Sequence, residues 1–368
     1  MNRGFHTRAV QFLSLLGLLI LILAGCSSLP ATTVSSTLPS LSPASGEYWP
    51  TKAWRTSSPE EQGMDSQMLD QMLTTIREDH LKFHSLLVIR NGYIVSESYF
   101  GSYQQDTRHE LYSCTKCFVS TLVGIAIDKG SIGGIDHQVL GFFPERTFAN
   151  PGALKEDMTL EDLLTMRSGL EWEEGNPAYR TLYTSPDWVK FMLDKPMIQP
   201  PGSQFNYCSG CSHILSAILQ ETSGMNPRDF AERVLFKPLG ISNAIWDVDS
   251  NGIPIGGWGL QLTPREMAKL GYLYLQDGAW DGTQIVSRRW VADATRTHTK
   301  TDSELGYGYQ WWTIPSMDAY AALGLYGQTI LVVPSADLIV VTTAEMADHE
   351  VIFQLIENNI IPAVGKIE

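Results

Sequence analysis

The spacing of apolar residues changes along this chain, and each change predicts a different element. Between 64 and 80, apolar residues recur every three or four positions, which predicts an amphipathic helix. Between 85 and 101, two β-rich runs flank Asn91 and Gly92, a pair typical of a tight hairpin turn. From 117 to 130 nearly every position is apolar, which predicts a helix buried on all sides. The folded part of the chain is therefore expected to begin with a helix, a hairpin and a buried helix.

Further helices are predicted from the residues at their ends. The segments 158–169, 211–224 and 262–278 each close on a glycine, which is common just beyond a helix. Thr159 and Thr263 are the second residues of two of these segments, and each has an acidic residue three positions on, as in a capping box. We therefore expect a helix-rich middle to the chain.

The C-terminal third shows short apolar runs joined by brief connections, which predicts neighbouring antiparallel strands. The runs are 307–314, 318–325, 328–334 and 337–344. A closing helix follows them. Because a hairpin lies near one end of the chain and these strands near the other, the simplest assembly is one antiparallel sheet built from both ends.

These elements predict an α/β (α+β) fold, in which helices flank the antiparallel sheet and a mainly helical domain is inserted. The folded domain is expected to cover 48–368. Within it, sheet regions of about 48–115 and 245–368 would enclose a helical region of about 116–244.

The first 25 residues predict an export signal rather than part of the fold. Arg3 and Arg8 precede an apolar run that is too short to span a bilayer comfortably. The run ends in Leu-Ala-Gly-Cys at Cys26, which resembles a bacterial lipobox and so implies cleavage before Cys26 and lipidation of its thiol. An ordinary signal peptide with an incidental cysteine is the alternative. Residues 26–47 are rich in Ser, Thr and Pro and predict a flexible tether, so we expect a lipid-anchored protein on the periplasmic or extracellular face of a bacterial cell envelope.

Composition and charge narrow the classes of partner. With 43% hydrophobic and 18% charged residues, the chain is globular rather than disordered. Its formal net charge of −14 argues against a nucleic-acid partner, because a phosphate backbone favours a basic surface. We expect a small-molecule substrate, a membrane contact through the lipid anchor, no cofactor and no metal.

The stretch from 111 to 120 carries candidate chemistry. Ser113 and Lys116 are spaced as S-x-x-K, and two residues three apart in a helix share a face. A serine hydroxyl needs a base, and a lysine can act as one when burial disfavours its ammonium form. The alternative is a capping serine beside a solvated lysine, but the apolar residues from Cys117 to Leu122 favour burial.

Two downstream segments could complete such a site. Tyr207 lies in a loop just before a helix, where its phenol could pass a proton to a leaving group. Gly324 lies in a glycine-containing stretch beside a strand, which suits close approach of a backbone N–H to an oxyanion.

The order of these motifs resembles the serine β-lactamase and penicillin-binding protein superfamily. The motifs are S-x-x-K, then "PG…F-x-Y-x-S" ahead of a helix, then "G-L-Y-G-Q" before the late strands. The sequence is similar in particular to the class C-related branch of carboxylesterases and 6-aminohexanoate-dimer hydrolases, over about 50–360. The resemblance implies an acyl-enzyme mechanism with Ser113 as nucleophile, Lys116 as its base and Tyr207 as proton shuttle.

The resemblance also implies an oxyanion hole and substrate contacts. The oxyanion hole would be the backbone N–H groups of Ser113 and Leu325. The substrate-binding residues would be Ser209, Gly324 and Gln328. Two departures from the family pattern affect the expected substrate: Ser209 replaces the usual asparagine, and Ala322 replaces the cation that anchors the carboxylate of a β-lactam.

These departures favour an esterase or amidase over an efficient β-lactamase. One alternative is a non-catalytic or penicillin-binding envelope lipoprotein on the same fold. A second is a class C-like β-lactamase or a D-amino-acid peptidase. The segment 172–175, "WEEG", is interpreted as a solvated loop that could line the cleft.

Four cysteines form two C-x-x-C pairs, Cys114 with Cys117 and Cys208 with Cys211. The gap between the pairs is far longer than in common zinc ribbons, and the fold pattern does not suit thioredoxin-like chemistry. If Ser113 and Tyr207 meet, then Cys114 and Cys208 would be neighbours, as would Cys117 and Cys211. We therefore expect one or two disulfides that link these segments in the exported protein.

Overall fold

The strands of the main sheet come from the two ends of the chain, and short strands of smaller sheets lie between them. The computed structural model describes residues 48–346 and 348–365. Its strands are β1 (Arg55–Thr56), β2 (Phe83–Arg90), β3 (Tyr93–Tyr99), β4 (His109–Glu110), β5 (Ile245–Trp246), β6 (Leu260–Leu262), β7 (Ala279–Trp280), β8 (Thr283–Gln284), β9 (Thr299–Lys300), β10 (Gly306–Tyr307), β11 (Trp312–Ile314), β12 (Ala319–Gly324), β13 (Gln328–Val333) and β14 (Leu338–Ala344).

The main sheet has the strand order β1-β3-β2-β14-β13-β12-β11-β10-β9 in the described residues. Every pairing in it is antiparallel except that of β1 with β3. The antiparallel pairing of β14 with β2 joins the N-terminal hairpin to the C-terminal meander, with Leu338 opposite Arg90. The predicted α/β fold, with one antiparallel sheet built from both ends, is therefore confirmed.

Most of the helices lie between β4 and β9. The helices are α1 (Ser66–Glu78), α2 (Thr115–Asp128), α3 (Ala153–Glu156), α4 (Leu160–Leu164), α5 (Asn176–Thr184), α6 (Trp188–Leu193), α7 (Ser209–Ser223), α8 (Pro227–Ala231), α9 (Lys237–Leu239), α10 (Pro264–Leu275), α11 (Arg288–Thr295) and α12 (Glu350–Leu355). In the described part of the chain, no helix is long and apolar enough to span a bilayer.

Alternating side chains of the central strand bury both faces of the sheet. On β14, Leu338 and Val340 pack in one cluster with residues of α1 and α12. Ile339 and Val341 point the other way and pack in the cluster that contains α2, α7 and α10. Each fully buried side chain of this size stabilises the fold by about 1.5–3 kcal/mol. The sheet is thus held between two helical layers, and α2 lies against the face that carries the candidate site.

Several predicted elements have the predicted ends. Asn91 and Gly92 both adopt positive φ, 51° and 75°, as the hairpin turn between β2 and β3 requires. Thr263 forms a capping box with Glu266 at the start of α10. Gly224 closes α7 in the left-handed conformation, as its position in the sequence indicated.

Two predicted elements are shorter than expected. The helix predicted over 158–169 ends at Leu164, because Met166 adopts a left-handed φ of 58° and Asn206 N–H donates to its carbonyl. The strand predicted over 307–314 is divided into β10 and β11 by a turn at Gln310, whose φ is 64°. The predicted signal peptide (1–25), Cys26 and the tether (26–47) lie outside the described residues and stay predictions.

Candidate active site

Ser113 lies in a 3₁₀ turn, Tyr112–Cys114, that leads directly into α2; we call it the serine turn. Tyr112 has a φ of 46°, a left-handed conformation that costs a non-glycine residue about 1–3 kcal/mol. Backbone strain of this kind persists only where the surrounding structure holds it in place. Here the strained turn places the Ser113 side chain at the wall of a cleft, next to the N-terminus of α2, where the helix dipole is positive.

Lys116 is buried beneath Ser113, with 1% of its surface exposed. Its Nζ lies 2.9 Å from Ser113 Oγ. It also contacts Ser209 Oγ at 2.9 Å and the carbonyl oxygen of Gly257 at 2.8 Å. The predicted pair is therefore brought into direct contact, and the reading of Lys116 as a solvated residue is wrong.

Burial lowers the pKa of Lys116 to about 8, although the nearby carboxylate of Glu174 and the thiols of Cys117 and Cys114 act in the opposite direction. At pH 7 about one tenth of the side chains are then neutral, roughly 300 times the fraction at the ordinary pKa. A neutral amine has a free lone pair. Lys116 can therefore accept the proton of Ser113 near physiological pH.

The ring of Tyr207 lies against the end of the Lys116 side chain. The Nζ of Lys116 is 4.8 Å from the centre of its ring, and the ring stacks on Trp312 at 5.7 Å. Burial raises the pKa of Tyr207 well above its ordinary value, and interaction with the Ser113 hydroxyl only partly opposes this. The phenol therefore remains protonated at neutral pH and is available as a proton donor.

Gly324 brings the end of β12 against the serine turn. A Cβ at this position would lie 2.2 Å from the carbonyl oxygen of Leu111 and 3.3 Å from the backbone nitrogen of Cys114. Only glycine permits this approach. Gly324, Leu325 and Ser113 all line the cleft, as the predicted oxyanion hole and substrate contacts require.

Ser209, at the first position of α7, lies behind Lys116 rather than in the open cleft, and 1% of its surface is exposed. Its hydroxyl donates to Glu174 Oε1 at 2.5 Å, and its backbone N–H donates to Oε2 at 3.0 Å. Tyr179 and Trp172 also donate to the same carboxylate. Ser209 therefore connects Lys116 to a carboxylate, and its predicted contact with substrate is replaced by an internal network.

Glu174 is the site residue that sequence reasoning missed. Its segment was interpreted as a solvated loop that could line the cleft; the structure does place the carboxylate at the cleft wall, but hydrogen-bonded within the network of Ser209, which was not anticipated. Glu174 lies between aromatic residues and ahead of the motif that contains Tyr207, but no recognised motif spacing marks it as a site residue. His349 also lines the cleft and was not singled out.

Gln328 does not contribute to the cleft as predicted. It is 2% exposed, and its amide donates to the carbonyl oxygens of Leu325 and Ala344 while it accepts from the Ala344 N–H. The side chain instead holds the turn between β12 and β13. It thereby fixes Leu325 beside the serine turn.

The predicted disulfides between the two C-x-x-C pairs are wrong. Cys208 and Cys211 form a disulfide with each other, and Cys114 and Cys117 are free, buried thiols. Cys208 caps α7, so its side chain turns back toward Cys211 in the first turn of the helix. Burial raises the pKa of both free thiols, which disfavours reactive thiolates.

The two free thiols contact backbone carbonyl groups. Cys114 Sγ lies 3.3 Å from the carbonyl oxygen of Gln328, and Cys117 Sγ lies 3.0 Å from that of Gln310. The first carbonyl belongs to β13 and the second to the turn between β10 and β11, so neither thiol is bonded to its predicted partner.

The cleft beside Ser113 has a volume of about 1520 Å³. Among the described residues that line it, none is lysine or arginine, whereas the acidic lining residues are Glu110, Glu174, Glu304, Asp348, Glu350 and Glu357. Burial and the neighbouring Asp247 raise the pKa of Glu110. Ala322, where the family usually has a cation, is fully buried in β12. The cleft therefore offers an anionic substrate no side-chain ammonium or guanidinium on its walls.

Comparison with solved structures identifies the fold. A hydrolase with promiscuous acyltransferase activity, EstCE1, superposes with a TM-score of 0.69 at 17% identity, over 83% of this chain and 100% of that one. A family VIII carboxylesterase superposes with a TM-score of 0.67 at 18% identity, over 83% and 98% of the two chains. This is the β-lactamase/transpeptidase fold, a class of structure that hosts several hydrolase activities.

Sequence comparison identifies the family. The beta-lactamase family model matches residues 69–349. The 6-aminohexanoate-dimer hydrolase of Paenarthrobacter ureafaciens is 25% identical over 333 residues, which cover 83% of this chain and 84% of that protein. The chain belongs to the beta-lactamase family, and the resemblance recognised in its motifs is confirmed.

Proposed function

We propose that this protein is a serine hydrolase that cleaves esters or amides through an acyl-enzyme on Ser113. The observation that carries the proposal is the 2.9 Å contact between Ser113 Oγ and the buried Nζ of Lys116. A hydroxyl, a base with a pKa of about 8 and a cleft are the parts that acyl transfer needs.

Acylation follows from this geometry. The neutral amine of Lys116 accepts the hydroxyl proton while Ser113 Oγ forms a bond to the substrate carbonyl carbon. The N–H groups of Ser113 and Leu325 stabilise the oxyanion that develops. The bond to the leaving group then breaks, and the leaving oxygen or nitrogen takes a proton from Tyr207, which recovers one from the Lys116 ammonium. Water attacks the acyl-enzyme in the second half of the reaction, with the proton transfers reversed.

The walls of the cleft favour a neutral or cationic substrate. Six carboxylates line it, and no lysine or arginine does so among the described residues. Like charges repel more strongly in a partly desolvated cleft than in water, so a substrate carboxylate is disfavoured. This supports an ester or amide without that group over a β-lactam. The names of the relatives, a 6-aminohexanoate-dimer hydrolase and a carboxylesterase, support an amide or ester as the bond that is cleaved.

A fluorophosphonate probe tests the reaction class, because it labels an activated serine irrespective of the natural substrate. The wild type should be labelled and Ser113→Ala should not. Ser120→Ala is the matched control, since Ser120 is a buried serine of α2, the helix that follows Ser113, and its hydroxyl has no hydrogen-bond partner among the described residues. Absence of labelling in folded wild type would refute the proposal and favour a binding protein on this fold.

Two chromogenic substrates test the substrate class. We expect turnover of p-nitrophenyl acetate and little or no turnover of nitrocefin, which carries the β-lactam carboxylate. Both reactions should be lost in Ser113→Ala. Fast nitrocefin turnover would overturn the assignment as an esterase or amidase.

We also propose that the protein is anchored to the bacterial envelope through Cys26, because the lipobox-like motif and the tether precede the folded domain. Metabolic labelling with an alkyne fatty acid, compared between wild type and Cys26→Ser, tests this. Equal labelling of the two would contradict it.

A further inference from the structure

Lys116 has more hydrogen-bond partners than a neutral amine can donate to. Its Nζ lies within 2.9 Å of three oxygens, those of Ser113, Ser209 and Gly257. An ammonium would donate to all three, but a neutral amine has two donors and one lone pair. In the base form, one of the three oxygens must therefore donate to Nζ. Catalysis requires that this oxygen belong to Ser113.

Two of these partners can be excluded as donors in the observed arrangement. The Gly257 oxygen is a carbonyl and can only accept. The Ser209 hydroxyl has one proton, and that proton is directed at Glu174 Oε1, 2.5 Å away. Ser209 can therefore only accept from Lys116. The lone pair of the neutral amine is left facing Ser113.

The carboxylate of Glu174 fixes the direction of the hydroxyls around it. Its two oxygens accept from four donors, which are the Ser209 hydroxyl and N–H, the Trp172 indole and the Tyr179 hydroxyl. A glutamine amide with its oxygen toward the two N–H donors would turn its NH₂ group toward the two hydroxyls, which would then accept, so the Ser209 proton would no longer be directed at residue 174. The loop is itself anchored, because the Asn206 side chain donates to the Trp172 carbonyl at 2.9 Å.

We infer that Glu174 is a positioning residue that orients the Ser209 hydroxyl so that neutral Lys116 directs its lone pair at Ser113. This inference rests on the proposed function and adds a residue to it. Glu174 does not touch the reacting atoms. It acts through Ser209, and it does so from a loop that is distant in sequence from both.

The charge of Glu174 has a second, separable effect on the same lysine. The titratable groups around Lys116 are Glu174, Cys114, Cys117 and the phenol of Tyr207. Burial favours the neutral amine, and the Glu174 carboxylate is the largest opposing influence on the pKa. Removal of the Glu174 charge should lower the pKa of Lys116. Displacement of the carboxylate with its charge kept should instead disturb the direction of the Ser209 hydroxyl and leave the pKa of Lys116 nearly unchanged.

The test is the pH profile of kcat/KM for p-nitrophenyl acetate from about pH 5 to about pH 10. In the wild type, we expect a rise with a midpoint near the lysine pKa of about 8. Glu174→Gln should move the midpoint to lower pH and reduce the plateau by about tenfold to a hundredfold. Glu174→Asp keeps the charge, but its shorter side chain withdraws the carboxylate from the Ser209 hydroxyl. The plateau should therefore fall while the midpoint stays close to that of the wild type.

Glu173→Gln is the matched control, because it removes the same charge from the adjacent residue, which is exposed and does not line the cleft. It should leave both the midpoint and the plateau unchanged. If Glu174 acted on Lys116 through its charge alone, Glu174→Gln would move the midpoint but Glu174→Asp would keep the plateau of the wild type. A plateau equal to that of the wild type in folded Glu174→Gln and Glu174→Asp therefore overturns the inference.

A double-mutant cycle tests the route through Ser209. If Glu174 acts by orienting this hydroxyl, Ser209→Ala should lower the plateau, and the further change Glu174→Gln should lower it by no more than about twofold. If the plateau losses of the two single variants instead multiply in the double variant, the two residues act independently and the route through Ser209 is refuted. Failure of the proposed function is distinguishable, because Ser113→Ala would then retain activity and labelling. If Ser113→Ala is inactive but Glu174→Gln behaves like Glu173→Gln, only this inference fails.

Discussion

Gly324→Ala isolates the close approach between β12 and the serine turn from every other feature of the site. The φ of Gly324 is −120°, so alanine introduces no backbone strain of its own. Its Cβ would, however, lie 2.2 Å from the carbonyl oxygen of Leu111 and 3.0 Å from Gln328 Cβ. The backbone carbonyl cannot rotate away as the end of a side chain could. The strand and the turn must therefore separate.

The size of this separation sets the expected loss of activity. A Cβ contact shorter than 3.0 Å is essentially never found, so the two segments must move apart by at least about 0.8 Å. The N–H of Leu325 moves with the strand and that of Ser113 with the turn. A misplacement of this order, or the loss of one oxyanion donor, lowers kcat by about 100-fold to 1000-fold. Overpacking should also cost about 1–3 kcal/mol of stability.

The assay is kcat for p-nitrophenyl acetate together with the rate of fluorophosphonate labelling and the free energy of unfolding. Gly133→Ala is the control, because a Cβ there would meet only His137 Nδ1, at 3.8 Å. It should change none of the three. A Gly324→Ala variant with kcat within about twofold of the wild type would refute the assigned oxyanion hole.

Three further predictions concern Lys116, the disulfide and the buried contact of Asp249 with His213. Because only the neutral amine of Lys116 accepts a proton, kcat/KM should rise as the pH passes about 8, and a flat profile from about pH 6 to about pH 10 would contradict its role. Peptide mapping of alkylated protein should find Cys208 linked to Cys211; any link to an upstream cysteine would contradict the structure. Asp249→Asn should lower the free energy of unfolding by about 1–3 kcal/mol at neutral pH, since an NH₂ group would replace a buried oxygen that contacts His213 Nε2. Burial raises the pKa of Asp249, but the hydrogen bonds from His213 and from the backbone N–H groups of Ile253 and Asn251 together outweigh it and the net pKa is lowered, so the deficit measured by urea unfolding should shrink below about pH 4; a deficit independent of pH would contradict the assignment.

The local elements of the fold were predictable because their signals are local. The hairpin at Asn91 and Gly92 depends on two residues that tolerate positive φ, and the capping box of α10 depends on Thr263 and Glu266. The end of α4 was not predictable in this way. Met166 turns the chain early because the backbone of Asn206, distant in sequence, donates to its carbonyl. A tertiary contact therefore ends the helix before its glycine.

The same division applies to the candidate site. Ser113 and Lys116 share a face because they are three residues apart, and this spacing requires no knowledge of the rest of the chain. The contact of Ser209 with Glu174 depends on how the loop before α5 packs against the start of α7, which no spacing encodes. The position of Gln328 was misjudged for a related reason, since a polar residue beside a cleft can equally well hydrogen-bond the backbone that shapes it.

The cysteines show that the proximity of two segments does not by itself decide which thiols form a disulfide. The proximity of the segments that carry Ser113 and Tyr207 was correctly anticipated, but a shared neighbourhood does not determine where each thiol points. Cys208 and Cys211 lie in one helical turn and bond to each other, whereas Cys114 and Cys117 contact the backbone carbonyl oxygens of Gln328 and Gln310. Disulfide choice depends on side-chain direction, which the packing of α2 and α7 decides.

The sequence by itself determined the order of the elements, the helix caps and the presence of a buried S-x-x-K pair, because each depends on residues a few positions apart. The tertiary structure alone decided that Glu174 reaches Ser209, that β12 meets the serine turn through Gly324, and that carboxylates line the cleft. These features join residues far apart in the chain. Their energies depend on distances and burial that arise only when the sheet and the helical layers pack together.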